Sequence, residues 1–309
     1  MKRDYYLNSG GILSKIKGIF LKEVPKFPQT ILLETQSGCN ARCIFCPYSE
    51  KRDKLPSGKM KDDLFEKIVQ EFSIFTPKYI IPCFTNEPLL DKNLYDKLLY
   101  IKERSPKTKI KLTTNGSLLN EKLIEKLLKP NLLYEITVSF NGFRKETFEY
   151  FMRGLSFKQC FNNLLNLLNY VNKNKLKRPK IIVNMLQIAS IKSEIDKAKS
   201  FWESKGAKVV LNPIENRGGS VKEKKDFSSN FKRNLKCRRP FNTAVITFDG
   251  KMVLCCVDYE RKVILGDLKN QSIYEVWNSP LLNEIRKKLL EGRLEDIPIC
   301  RDCKIGEFN

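Results

Sequence analysis

Cys39, Cys43 and Cys46 stand at C-x3-C-x2-C within SGCNARCIFCPYS, in a 309-residue chain that contains no histidine. Thiolates at such spacing hold metal, and three of them leave three readings open: a zinc site short of a ligand, a fragment of a disulfide framework, or an iron–sulfur cluster one ligand short. Structural zinc takes four ligands, and no histidine exists to supply the fourth. A [4Fe–4S] cluster held by three thiolates would instead leave one iron open to bind and activate a further molecule. A second group follows at Cys237, Cys255, Cys256, Cys300 and Cys303, the last two as C-x2-C. Four thiolates in two pairs suit zinc as well as a cluster. Ten cysteines in a reducing compartment are rarely disulfides, so their clustering points to metal. Acid–base chemistry falls to Glu, Asp, Lys, Tyr or an arginine in an unusual setting.

The elements that must position these residues are legible in the hydrophobic pattern. From residue 31 to about 215, short apolar runs alternate with longer amphipathic stretches. The predicted strands are TILLET, YIIPCFT, KIKLTTN, YEITVSF, KIIVNMLQI and KVVLNPI, separated by helices such as DDLFEKIVQEF and SFKQCFNNLLNLLNYVNK. Six strand–helix units imply parallel strands with right-handed crossovers, two units short of a closed eight-fold barrel. The fold class is therefore α/β, a partial (β/α)6 TIM-like barrel. Past ENRGGS a lysine-rich linker leads to NTAVITFDGKMVLCC, read as two strands around an Asp-Gly turn, and to one helix over SIYEVWNSPLLNEIRKKLLEG. The expected domains are a basic N-terminal extension (1–28), the barrel (29–219), and the linker with a small cysteine-bearing domain (220–309).

Lys and Arg total 57 against 35 Asp and Glu, a net charge of +22 that favours anionic partners. The basic residues are dispersed, and no aromatic-interleaved RNA-binding motif accompanies them, so nucleic acid is not the favoured partner. No apolar run approaches a membrane span, and the N-terminus lacks the apolar core of a signal peptide, so a soluble, cytoplasmic protein is expected.

C-x3-C-x2-C after the first strand, with Phe45 before the last cysteine, resembles the signature of radical S-adenosylmethionine (SAM) enzymes. The resemblance implies that the open iron chelates SAM, whose reductive cleavage yields a 5′-deoxyadenosyl radical that abstracts a substrate hydrogen atom. FTNEP resembles the family's Gly-Gly-Glu-Pro motif, with Thr85 and Asn86 in place of the glycines and Glu87 and Pro88 retained. Backbone contacts survive that change, whereas a need for positive φ would not, although Asn tolerates it best. TTNG, VSFNG and MRG resemble further parts of the SAM site, which implies contacts from Asn115, Ser139 and Arg153.

C-x12-G-x4-C followed by C-x2-C is similar to the twitch extension, the short relative of the SPASM domain. Gly250 permits the hairpin, and the implied ligands of an auxiliary [4Fe–4S] cluster are Cys237, Cys255, Cys300 and Cys303. A fully ligated cluster suits electron transfer, so a substrate radical would lose a second electron to it. Over most of residues 30–303 the chain resembles the twitch-bearing radical dehydrogenases of aminocyclitols, which implies that Arg217 of NRGG meets a substrate hydroxyl at the barrel mouth. The extra length between residues 140 and 210 and the N-terminal thirty residues depart from that pattern. A radical SAM peptide maturase is the alternative, and a non-catalytic metal protein that binds nucleic acid a third reading. The substrate is expected to be a small molecule or a peptide, with flavodoxin or ferredoxin as electron donor. Cys83 and Cys160 are expected in the core, on a strand and a helix, with Cys83 and Cys256 also considered as hydrogen-atom donors.

Overall fold

A computed structural model describes residues 24–221, 230–233 and 237–307. The basic extension up to residue 23 and most of the expected linker lie outside the described residues.

Each of the six predicted barrel strands forms: β1 (Thr30–Leu33), β2 (Tyr79–Ile81), β3 (Lys109–Thr114), β4 (Leu133–Ser139), β5 (Lys180–Leu186) and β6 (Lys208–Asn212). They pair in parallel in chain order, and their helices cover one face of the sheet. Register follows burial, with Ile31 opposite Ile80 and Ile80 opposite Ile110, all in the core. A slip of one residue would turn such a row toward the lumen, so the apolar pattern holds the pairing. All six strands end on the same side, where their connecting loops collect.

The sheet does not stop at the barrel. β8 (Thr243–Ile246) pairs in parallel with β1, and β9 (Lys251–Val253) and β10 (Ile264–Asp267) add antiparallel strands beyond it. The Asp-Gly hairpin thus extends the barrel sheet to nine strands, with β10 and β6 as its open edges. A separate two-stranded sheet joins β7 (Asn230–Arg233) to β11 (Lys304–Glu307).

Two expectations need correction, and one helix was not expected. The single helix over residues 272–292 is two, Ile273–Trp277 and Pro280–Glu291. Pro280 cannot donate a helical hydrogen bond and drives Ser279 into extended conformation (φ −63°, ψ 151°), where its hydroxyl caps the second helix at Leu282 N (3.3 Å). Cys83 lies in the loop after β2 rather than on the strand, while Cys160 is a buried helix residue as expected. Lys145–Phe151 forms a helix that the apolar pattern did not indicate. Its start is held by Glu194, which accepts from Arg144 N (2.9 Å), Thr147 Oγ1 (3.0 Å) and Phe143 N.

The longer stretch between residues 140 and 210 is knitted by aromatic rings. Phe140 at the end of β4 meets Phe148 at 4.7 Å and Trp202 at 5.3 Å, and Phe161 meets Trp202 at 5.1 Å between centroids. Trp202 is fully buried at the centre of this group. Among the described residues no helix is long and apolar enough to cross a membrane. Trp202→Ala should lower the unfolding free energy by about 3–5 kcal/mol, read as a fall in the urea midpoint.

Candidate active site

The loop after β1 carries the three cysteines and is pinned on every side. Gly38, at φ +107°, bridges to Asn86, and its carbonyl accepts from Glu87 N at 2.8 Å. Arg42 N donates to Arg153 O (2.6 Å) and Ile44 N to Phe151 O (3.1 Å), which ties the loop to the helix beyond β4. Arg52 donates to Cys39 O (3.3 Å) and Ala41 O (3.1 Å), with its guanidinium 5.2 Å from the Tyr48 ring centre. Sequence reasoning missed Arg52 because EKRDK reads as an ordinary charged turn.

Glu87 is the node of the neighbouring loops. Its carboxylate accepts from Thr114 Oγ1 (2.6 Å), Asn115 N (2.7 Å) and Leu89 N (3.2 Å), the last capping the short turn Pro88–Leu90. Burial pushes its pKa up to about 7, against the pull of these three donors. Asn115 continues the chain of bonds, donating to Asn40 Oδ1 at 2.8 Å and approaching Cys39 Sγ at 3.9 Å. Cys39, Glu87, Pro88 and Asn115 are therefore brought together.

Thr85 and Asn86 both have negative φ, so the replaced glycines leave no left-handed strain. Asn86 Oδ1 accepts from Phe84 N (2.9 Å), and Thr85 donates from its amide (3.0 Å) and hydroxyl to Glu34. Glu34 also accepts from Phe248 N (3.2 Å) in the β8–β9 turn, and burial raises its pKa. Asp91 plays a parallel part, accepting from Thr35 Oγ1 (2.7 Å) and pairing with Lys97 (3.0 Å). Neither acid was anticipated; the sequence signal for Glu34 is a carboxylate closing an apolar strand.

Phe45 is half-buried against the core. Ser139 ends β4 in register with Asn184 on β5. Arg153 is exposed, with its guanidinium 5.3 Å from the Tyr150 ring centre; its carbonyl, not its side chain, meets the cysteine loop.

Cys237, Cys255, Cys300 and Cys303 line one cavity, together with Arg239, Pro240, Leu254 and Ile299. Cys256 packs instead against Phe84, Val245 and Val253. The NRGG loop abuts this cavity. Asn216 Nδ2 donates to Asp302 O (2.7 Å) and Lys304 N returns a bond to Asn216 Oδ1 (2.8 Å). The Gly218 amide pulls the Cys303 thiol pKa down against burial, and Gly218 itself sits at φ +65°, where a Cβ would lie 2.2 Å from Ile299 Cδ1. Arg217, also at positive φ (+50°), places its guanidinium 3.5 Å from Glu215, and the charges of Tyr259, Glu215, Cys256 and Cys46 push its pKa up against burial. The loop thus spans from one cysteine group to the other.

The donor sets fit iron–sulfur clusters. Burial raises every one of these thiol pKa values, Cys39 and Cys303 to about 11 and Cys300 to about 12, so their thiolates call for strong positive charge nearby. A hydrogen bond already approaches sulfur, from Ala41 N to Cys39 at 3.4 Å. Among the described residues no three Cys, Asp or Glu converge as one metal ion would require.

A radical SAM superfamily model matches residues 33–188, half of the chain, and the SPASM iron–sulfur cluster-binding domain matches residues 237–304. The chain belongs to the radical SAM superfamily. It is an enzyme with a SAM-binding [4Fe–4S] cluster and an auxiliary iron–sulfur domain. It is 25% identical over 274 residues to the S-adenosyl-L-methionine-dependent 2-deoxy-scyllo-inosamine dehydrogenase of Niallia circulans, covering 88% of this chain and 91% of that one. The AdoMet-dependent heme synthase of Methanosarcina barkeri is 29% identical over 41% of this chain and 35% of its own length. The crystal structure of BtrN with AdoMet and 2-DOIA superposes with a TM-score of 0.63 at 24% identity, covering 89% and 92% of the two chains. That of Streptococcus suis SuiB bound to its precursor peptide SuiA gives a TM-score of 0.68 at 15% identity, covering 88% and 70%, a likeness of fold alone.

Gly218→Ala should displace Ile299 and with it the Cys300–Cys303 turn. Iron after anaerobic reconstitution should fall from about eight to about four atoms per chain; an unchanged iron content would show that the close approach is relieved elsewhere.

Proposed function

We propose that the chain is a SAM-dependent dehydrogenase that oxidises a hydroxyl group of a small polar molecule to a carbonyl by two electrons. The observation that carries this reading is the NRGG loop, which packs Gly218 against Ile299 of the auxiliary cavity while the charge of Arg217 acts on Cys46 of the first cysteine group. When bound, the SAM cluster supplies the electron that generates the 5′-deoxyadenosyl radical, and the auxiliary cluster is an acceptor for the second substrate electron. One hydrogen atom, one electron and one proton then leave the alcohol. Its C–H and O–H bonds break as the carbonyl π bond forms.

The chain's own residues divide the remaining work. Cys39, Cys43 and Cys46 hold the first cluster, with Phe45 packed beneath their loop. Glu87, Pro88 and Asn115 lock that loop, while the Thr85 and Asn86 backbone, Ser139 and the Arg153 segment border the cofactor. Cys237, Cys255, Cys300 and Cys303 hold the auxiliary cluster. Burial alone would lower the Arg217 pKa, but Tyr259, Glu215, Cys256 and Cys46 carry it upward. The guanidinium therefore stays charged and serves as a donor to the substrate oxygen rather than as a base.

The full-length relation to a dehydrogenase supports a small hydroxylated substrate over a peptide. The dependence on free thiolates suits a cytoplasmic setting with a flavodoxin or ferredoxin as donor. The domain limits proposed are 1–28, 29–219 and 220–309.

Cys43→Ala should abolish 5′-deoxyadenosine formation in the reduced protein. Cys237→Ala should leave SAM cleavage but stop carbonyl product, measured by chromatography of both products from an aminocyclitol panel. Full carbonyl formation by Cys237→Ala would remove the electron-acceptor role, and deoxyadenosine without Cys43 would remove the site assignment.

A further inference from the structure

Glu215 is shared by two arginines that belong to different parts of the site. Its Oε1 pairs with Arg239 Nη2, and its Oε2 lies 3.5 Å from Arg217 Nη1. The Glu215 and Arg239 side chains are only 13% and 14% exposed, whereas Arg217 is 30% exposed. Arg239 lines the cavity of Cys237, Cys255, Cys300 and Cys303. The triad carries one net positive charge, largely out of water, beside four thiolates.

A cluster held by four thiolates carries net negative charge, and reduction adds one more. A fixed cation beside it stabilises the reduced form and raises the potential, more strongly where water is excluded. Without Glu215, two guanidinium groups would face each other in a half-dry pocket, so the carboxylate is what permits both to stay. We propose that Arg239 is the charge partner that raises the reduction potential of the auxiliary cluster, and that Glu215 is the positioning residue that holds it there while sharing Arg217. The inference rests on the auxiliary-cluster reading above. It adds a reason why this cluster, rather than solvent, takes the second electron.

The test is an EPR-monitored redox titration of the reconstituted full chain and its variants. Arg239→Gln removes the positive charge and should lower the auxiliary potential, disfavouring the reduced cluster at least tenfold, about 59 mV for a one-electron couple. Glu215→Gln removes the opposing negative charge while keeping an acceptor for both arginines, and should raise the potential. The double variant should return toward the wild type, and Arg239→Lys should keep most of the potential. A merely structural role predicts shifts of the same sign in both single variants, and that result would overturn the proposal. If Arg239→Gln assembles no auxiliary cluster, Glu215→Gln decides alone, an unchanged or lowered potential counting against it. Failure of the underlying reading would look different, because the wild-type chain would then bind about four iron atoms rather than eight.

Discussion

The carboxylate of Glu87 bears more of the site than any other group. It is buried, it accepts from the end of β3 and from the turn that follows it in the chain, and its own amide reaches the carbonyl of Gly38. A buried acid with its donors met fixes the loops around it, whereas one with a partner removed costs the full desolvation penalty. The cysteine loop has no regular structure of its own up to Cys46, where the helix Pro47–Lys51 begins. Its shape is therefore borrowed from this node, from Asn115 and from Arg52. Three thiolates can be presented together only because these neighbours leave the loop little freedom.

The same logic extends to the second cysteine group through two more carboxylates. Glu34 joins the β2 loop to the β8–β9 turn, and Glu215 joins the NRGG loop to Arg239. Because β8 pairs directly with β1, Cys255, just past β9, is placed by the sheet that carries the first set, while Cys300 lies on the helix Pro298–Arg301 and Cys303 precedes β11.

Departures from the family motif also have a physical account. Thr85 and Asn86 stand where glycines are usual, yet neither needs a left-handed backbone, and both side chains find partners. In NRGG the glycines are needed: Gly218 approaches Ile299 too closely for a side chain, and Gly219 meets Asp302 Cβ at 2.9 Å from an ideal Cβ position. Positive φ at Arg217, a strained state for such a residue, is held by the bonds of Asn216 on one side and this packing on the other.

The local sequence by itself determined the strands, most of the helices, the two cysteine groups and the order in which they occur. Those features depend on apolar period, on Pro and Gly, and on ligand spacing, all written within a few residues. It did not reveal the split at Pro280, although the proline was visible, because the apolar spacing continues across it. Nor did it reveal the helix Lys145–Phe151, whose start depends on Glu194 some fifty residues away. Only the tertiary structure decided that β8 joins β1 and that Arg153 meets the cysteine loop through its carbonyl. The acids Glu34, Asp91 and Glu215 read in sequence as scattered charges. Their roles arise from long-range partners, and burial decides those only once the sheet is assembled.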